Sequence, residues 1–261
     1  ILEIPFLNAG RGQGGYYVEC LPIFLATVAE LSDGLDAVVA TADLQGRERF
    51  DESPGGVPRL LGEALPKRLA DDILPKLGID SLRTGAILAG DFYTVPALDK
   101  RGGSGDVTKV WEAFGREFRW VAGVAGNHDT FGESLHPHRA TIANRHYLGG
   151  SRVTLDGMAI AGVGGVIGTP SRAHRRTEDG YTDTLLEVLD EPVDVLITHD
   201  GPEGPERGQR GSPRVTYVLN ELFPPLNIRG HAHWDTPLVK LDCGTQVLNV
   251  DCRVVILRRA D

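Results

Sequence analysis

Short apolar or β-branched runs recur along the chain, and each delivers into a polar cluster. Five of them predict strands over residues 36–42, 84–89, 119–125, 193–198 and 226–229. The stretches between several of these runs carry helical spacing instead. Residues 58–77 place Leu60, Leu61, Leu65, Leu69, Ile73 and Leu77 on one stripe, and 107–118 and 182–189 repeat the pattern. Residues 16–31, ahead of the first strand, are read as a further helix. From Arg152 onward the pattern changes. Val153, Leu155, Met158 and Ile160, then 237–241, 246–250 and 254–257, read as antiparallel strands around Asp156-Gly157 and Asp242-Cys243-Gly244 turns. Strands alternating with helices, followed by hairpins, describe a layered α/β domain.

Length and composition narrow this reading. A chain of 261 residues suits one large domain, taken as residues 1–261 with 1–35 as an N-terminal extension packed on it. No apolar run reaches the ~18 residues of a membrane span. The nearest, 16–31, is broken by Glu19, Pro22 and Glu30 and has no basic leader, so neither membrane association nor a signal peptide is expected. Cys20, Cys243 and Cys252 form no CxxC pair and are odd in number, which fits a reducing, cytoplasmic setting. A Cys243–Cys252 bridge across neighbouring strands is the one pairing left open. The net charge of −9 argues against a partner gripped through phosphate neutralisation, so nucleic acid is not expected. Oligomeric state is not encoded in any pattern found.

The chemistry gathers at the ends of the predicted strands, where open α/β sheets place their ligands. Asp43-Leu44-Gln45, Gly90-Asp91, Gly126-Asn127-His128-Asp129, Thr198-His199 and Gly230-His231-Ala232-His233 each follow an apolar run. Alone, each has an ordinary explanation: Gly-Asp is a common turn, and a lone Thr-His is more often a satisfied polar residue than a ligand. Their joint occurrence in this order is the informative feature. Hydrolysis of a phosphoester needs an oxygen nucleophile and charge compensation as the bond breaks, and two cations some ~3.5–4 Å apart supply both. Carboxylates, imidazoles and amide oxygens suit Mn, Fe or Zn.

The ordered blocks resemble the calcineurin-like metallophosphoesterase family, whose pattern runs DxH, GD, GNH(D/E), a lone H, and GHxH; the match spans residues 37–234. The resemblance implies a four-layer α/β/β/α sandwich of two mixed sheets flanked by helices. It implies a dinuclear centre of two divalent ions and hydrolysis of phosphoesters. An open site, with no large cap insertion, tilts the expectation toward phosphodiesters. Protein phosphatase or phosphomonoesterase activity is the alternative, and a non-catalytic metal-bound scaffold or a nuclease comes after those. Carried over by residue, Asp91 would bridge both ions, Asp43, Gln45 and His233 would serve the first, and Asn127, His199 and His231 the second. His128 would assist the leaving group, with Asp129 orienting it or tuning its proton affinity.

One position departs from the family pattern. Gln45 stands where the pattern has histidine. If it ligates through its oxygen, the first site shifts toward Mn or Mg and binds more loosely; if it does not, that ion is absent or held mainly by water. Among nearby residues, Arg47, Tyr93 and Arg229 are candidate substrate contacts, with a solvated loop role as the alternative for each. Asp200 and Asp235 are either supports for the ligands or turn residues. His136, His138, His146 and His174 read as surface or structural. The glycine-rich segment 10–15 resembles a phosphate-cradling turn but lacks the Walker lysine, so it reads as a flexible lead-in. Residues 100–105 read as a mobile loop able to shape access to the site.

Overall fold

The computed structural model describes residues 2–10, 15–100, 102–136 and 144–260. Numbered along the chain, one sheet contains β1 (Leu2–Ala9), β2 (Tyr16–Val28), β3 (Ala37–Ala42), β4 (Thr84–Leu88), β6 (Trp120–Gly123), β8 (Arg145–Tyr147) and β17 (Arg253–Arg259). A second contains β9 (Ser151–Leu155), β10 (Met158–Val163), β13 (Val195–Thr198), β14 (Leu226–Arg229), β15 (Leu238–Lys240) and β16 (Gln246–Asn249). Two short pairs join β5 (Gly105–Asp106) to β7 (Asp129–Thr130) and β11 (Val166–Ile167) to β12 (Arg175–Arg176). The four α-helices among the described residues are α1 (Leu61–Arg68), α2 (Thr108–Glu117), α3 (Glu178–Val188) and α4 (Pro213–Leu222).

The strand order is β1-β2-β17-β3-β4-β6-β8 in the first sheet and β15-β16-β14-β13-β10-β9 in the second. Both are mixed. β3, β4, β6 and β8 run parallel, as do β10, β13, β14 and β16; β2 and β17 pair parallel with each other, and β1–β2, β17–β3, β9–β10 and β15–β16 pair antiparallel. Side-chain alternation divides the interior into three layers. Val38 and Ala40 of β3 join Ile160, Val195, Ile197 and Ile228 between the sheets. Ala37 and Val39 point the other way, onto Leu61 and Leu65 of α1 and Val110 and Phe114 of α2. On the outer face of the second sheet, Ala161, Val163 and Leu196 meet Tyr181 and Leu185 of α3 and Val215 and Leu219 of α4. The result is the α/β/β/α sandwich expected from the sequence. No helix among the described residues is long and apolar enough to cross a membrane.

Several expectations need correction. Residues 16–28 form a strand rather than a helix. Leu21 and Ile23 enter one core layer while Phe24, Ala26 and Val28 pack against another, a period of two. Pro22, which would break a helix, sits where pairing passes from β1 to β17. The glycine-rich segment therefore connects two strands, with the Gly10 N–H donating to the Gly15 carbonyl at 2.7 Å; its residues 11–14 lie outside the described residues. The 58–77 stripe holds its core contacts but runs through α1, a π-turn at Leu69–Ile73 and a 3₁₀ turn at Pro75–Leu77. β17 does not pair with β16; it crosses to the first sheet and lies between β2 and β3. No disulfide joins Cys20, Cys243 and Cys252. α4 was not anticipated, although Ser212 caps it through Val215 N–H at 3.3 Å and Pro213 opens it.

Candidate metal centre

The two sheets bring the carboxyl ends of β3, β4, β6, β13 and β14 to one edge, and the polar blocks follow directly. The backbone turns sharply there. Asp43, Asp91 and His231 all adopt left-handed φ values of 55°, 59° and 70°, a conformation non-glycine residues hold only where surroundings enforce it. The glycines make room for the ligands. A Cβ on Gly126 would overlap the Asp91 carboxylate, and one on Gly230 would overlap that of Asp43.

A network of backbone donors fixes the carboxylates. Asp91 Oδ1 accepts from the His128 N–H at 2.9 Å, and Asp43 Oδ2 accepts from the His231 N–H at 2.8 Å. The His199 imidazole is fully buried and donates from Nδ1 to the Ala89 carbonyl at 2.7 Å, which turns Nε2 toward Asp91 Oδ2, 3.4 Å away. Ligand atoms of Asp91, His199 and His231 all lie within 4.8 Å of one another. Two further buried atoms lack a hydrogen-bond partner: Asn127 Oδ1 and His199 Nε2. A buried, unpartnered amide oxygen and a ring nitrogen able to shed its proton beside a carboxylate suit a cation-binding cradle, so these four residues fit a divalent metal.

Charge in this edge is strongly perturbed. Burial opposes ionisation of Asp91, but the adjacent His199 and His128 outweigh it and hold its carboxyl below the usual value. Burial likewise opposes charging of His199, yet Asp91 and Asp43 raise it to about 10. His231 is pushed down to about 4 by burial and by the positive His199. Burial, followed by the neighbouring Asp251 carboxylate, holds the Asp43 carboxyl well above its ordinary value. In effect a proton on His199 supplies the positive charge that the buried carboxylates need.

The residues implied for a first ion are arranged differently. Gln45 Nε2 donates to Asp91 Oδ2 at 3.3 Å. The His233 ring is largely exposed and sits between Asp251 Oδ1, 3.1 Å from Nδ1, and Arg253 Nη2, 3.0 Å from Nε2. Among the described residues, no second group of three acid or imidazole ligands converges. Asp251 and Arg253 follow no motif block and were not singled out in the sequence.

The role expected of Asp129 is also revised. Its fully buried carboxylate accepts from the backbone N–H groups of Asp91 and Gly126 through Oδ2, at 2.8 and 2.9 Å, and of Phe92 through Oδ1 at 2.9 Å. It braces the Gly90-Asp91 and Gly126-Asn127 turns and makes no hydrogen bond to the His128 ring. Burial and the Asp91 charge raise its carboxyl to about 6. His128 Nδ1 instead meets Ser104 Oγ at 3.2 Å. Ser104 belongs to the loop 102–105, which is anchored by Gly105 N–H to the His128 carbonyl at 3.0 Å; Arg101 of that loop lies outside the described residues.

Of the candidate substrate contacts, two are committed to the frame. Arg47 is buried and donates to the carbonyls of Pro58 at 2.7 Å and Thr94 at 2.8 Å. Arg229 is fully buried, donates to the carbonyls of Pro202, Arg210 and Gly230, and stacks on Trp234 at 5.0 Å. Tyr93 packs its ring on Gly103 and Gly105, beside the loop. A cavity of about 830 Å³ opens next to His231 and His233, and its lining includes Arg210, Ser212 and Asp200. The exposed Arg210 was missed in the sequence; the Gly211-Ser212-Pro213 helix start just after it was the available signal. Asp200 Oδ2 accepts from the Ile167 N–H at 3.0 Å, a structural role. His136 and His174 lie side by side with ring centroids 5.8 Å apart, and His138 lies outside the described residues.

Known proteins support the fold alone. No protein-family model matches this chain, and no curated protein matches it. Among solved structures, TT1561 of Thermus thermophilus is similar at a TM-score of 0.51 and 16% identity, over 82% of this chain and 88% of that one. A second solved structure is similar at a TM-score of 0.52 and 16% identity, over 82% of this chain and 90% of the other.

Proposed function

We propose that this chain is a metal-dependent phosphoesterase, with phosphodiesters the favoured class and phosphomonoesters or phosphoprotein loops the alternative. The observation that carries the reading is the convergence of Asp91, His199 and His231 at one sheet edge, with Asn127 Oδ1 and His199 Nε2 buried and unpartnered beside them. Asp91, Asn127, His199 and His231 would hold the cation, of the Mn, Fe or Zn type. When bound, it would activate a water as nucleophile and offset charge on the phosphoryl oxygens.

The protein groups supply the rest. His128 stands at the site's edge with Nδ1 held by Ser104, leaving Nε2 to give a proton to the departing oxygen. Asp129 keeps the turns of Asp91 and Asn127 in register, so the donors meet a substrate without rearranging. Arg210, at the cavity beside His231, offers a guanidinium to an anionic substrate.

The test is turnover of bis-p-nitrophenyl phosphate and p-nitrophenyl phosphate by protein with verified Mn, Fe, Zn or Mg content. Failure on both with the metal in place would sink the reading. His128→Ala is expected to lower kcat by about 10²–10⁴ at unchanged metal content. A non-catalytic scaffold is the second reading, motivated by the Gln45 amide on Asp91. It predicts metal uptake with no turnover of either ester.

A further inference from the structure

We propose that the centre holds a single divalent cation, on Asp91, Asn127, His199 and His231, and that the Gln45 amide and the Arg253 guanidinium take the place of a second. This rests on the metal-dependent reading above and sharpens it.

Gln45 presents its N–H, not its oxygen, to Asp91 Oδ2 at 3.3 Å. An amide nitrogen has no lone pair to give a cation, so Gln45 in this orientation is a donor to Asp91, on the oxygen that also faces His199 Nε2, and not a ligand to a second ion. The loop closes over the other end of the amide: a Cβ on Gly102 would lie 3.2 Å from Gln45 Oε1.

On the opposite side, His233 is claimed by protein groups. Arg253 Nη2 lies 3.0 Å from its Nε2 and 3.2 Å from its Nδ1. Arg253 is itself only 3% exposed and is fixed by bonds to the carbonyls of Trp234 at 2.8 Å and Asp251 at 3.2 Å. A divalent ion on His233 would stand against a buried guanidinium that cannot swing into solvent. A fixed guanidinium beside His233 and an amide donor on Asp91 thus stand where the side-chain ligands of a second ion would be needed.

The experiment strips the full chain with a chelator, adds Mn²⁺, and reads stoichiometry by native mass spectrometry and spin coupling by electron paramagnetic resonance. The expected result is one Mn²⁺ per chain with the spectrum of an isolated ion. Gln45→His, alone and combined with Arg253→Met, should take up a second ion and show exchange coupling. Two coupled ions in the unaltered chain overturn the proposal, and so does the absence of any bound ion. If folded variants stay at one ion, Gln45 and Arg253 are not what excludes the second, and that assignment falls. Turnover measured on the same samples separates the two readings. One isolated ion without ester hydrolysis would remove the phosphoesterase reading and leave the single-ion centre standing, whereas two coupled ions with hydrolysis would do the reverse.

Discussion

Asp129 shows how much a single side chain contributes to the site without touching its chemistry. Its carboxylate satisfies three buried backbone donors, from Asp91, Phe92 and Gly126, that have no water to turn to. Asp129→Ala should therefore destabilise the protein by at least about 3 kcal/mol in urea unfolding, at roughly 1–3 kcal/mol for each of the three orphaned donors. Metal affinity should fall in the same variant, because Asp91 and Asn127 lose their common brace. Ser104 is the contrasting case: exposed, and bonded to His128 Nδ1. Ser104→Ala is expected to lower kcat about three- to tenfold, and more for poor alkyl leaving groups than for p-nitrophenolate, with metal content unchanged. Ser104→Thr should retain most of the rate; an equal loss for both leaving groups would remove Ser104 from any role in orienting His128. Neither assignment could be read from the chain, since Asp129 is next to His128 in sequence while its partners sit up to 38 positions away. Arg229 misled in the same way, its carbonyl partners on Pro202 and Arg210 being 27 and 19 residues distant.

Among the elements, those buried on both faces were the legible ones. β3, β4 and β6 are buried throughout because helices cover one face and the second sheet the other, so each appears in the sequence as a largely apolar run ending at a polar block. β2 was read as a helix because its exposed half, Tyr16 to Cys20, carries apolar residues that blur the alternation. The hairpin β9–β10 was legible through Asp156-Gly157, but the use made of that turn was not. Asp156 accepts from Arg119 Nε at 2.8 Å and Nη2 at 2.7 Å and from Trp120 Nε1 at 2.8 Å, so it ties the second sheet to β6 of the first. The Arg119 guanidinium, against the opposing effect of burial and with help from Trp120, holds its carboxyl below the ordinary 3.8. For a carboxyl depressed on folding, the stabilisation is complete above that value and is lost as pH falls through the lower folded one. Asp156→Asn should lower Tm by a few degrees at neutral pH and flatten the decline of Tm below pH 4. An unchanged acid limb would show that the tie contributes nothing to holding the sheets together.

Taken as a whole, the fold commits free energy to a site that, on the proposed reading, a cation completes. His199 is fully buried; burial opposes its charge, but Asp91 and Asp43 prevail and raise it to about 10 from an ordinary 6.5. A group raised in this way stabilises the folded chain fully below 6.5 and ceases to do so as pH climbs through about 10. On the proposed reading its Nε2 is also the atom offered to a metal, so a cation would bind only as that proton leaves. Metal affinity should therefore rise by up to about tenfold per pH unit between pH 7 and 9, with close to one proton released per ion, measurable by calorimetry in buffers of different ionisation enthalpy. Saturation with Mn²⁺ or Zn²⁺ at a hundredfold excess over Kd should add about 2.7 kcal/mol of stability. For a domain of this size that is a rise in Tm of roughly 5–10 °C. A chelator should reverse it, and His199→Ala should abolish both the rise and the proton release. Metal binding that is independent of pH across this range would mean that His199 is not a ligand, and the convergence of Asp91, His199 and His231 would then need another explanation.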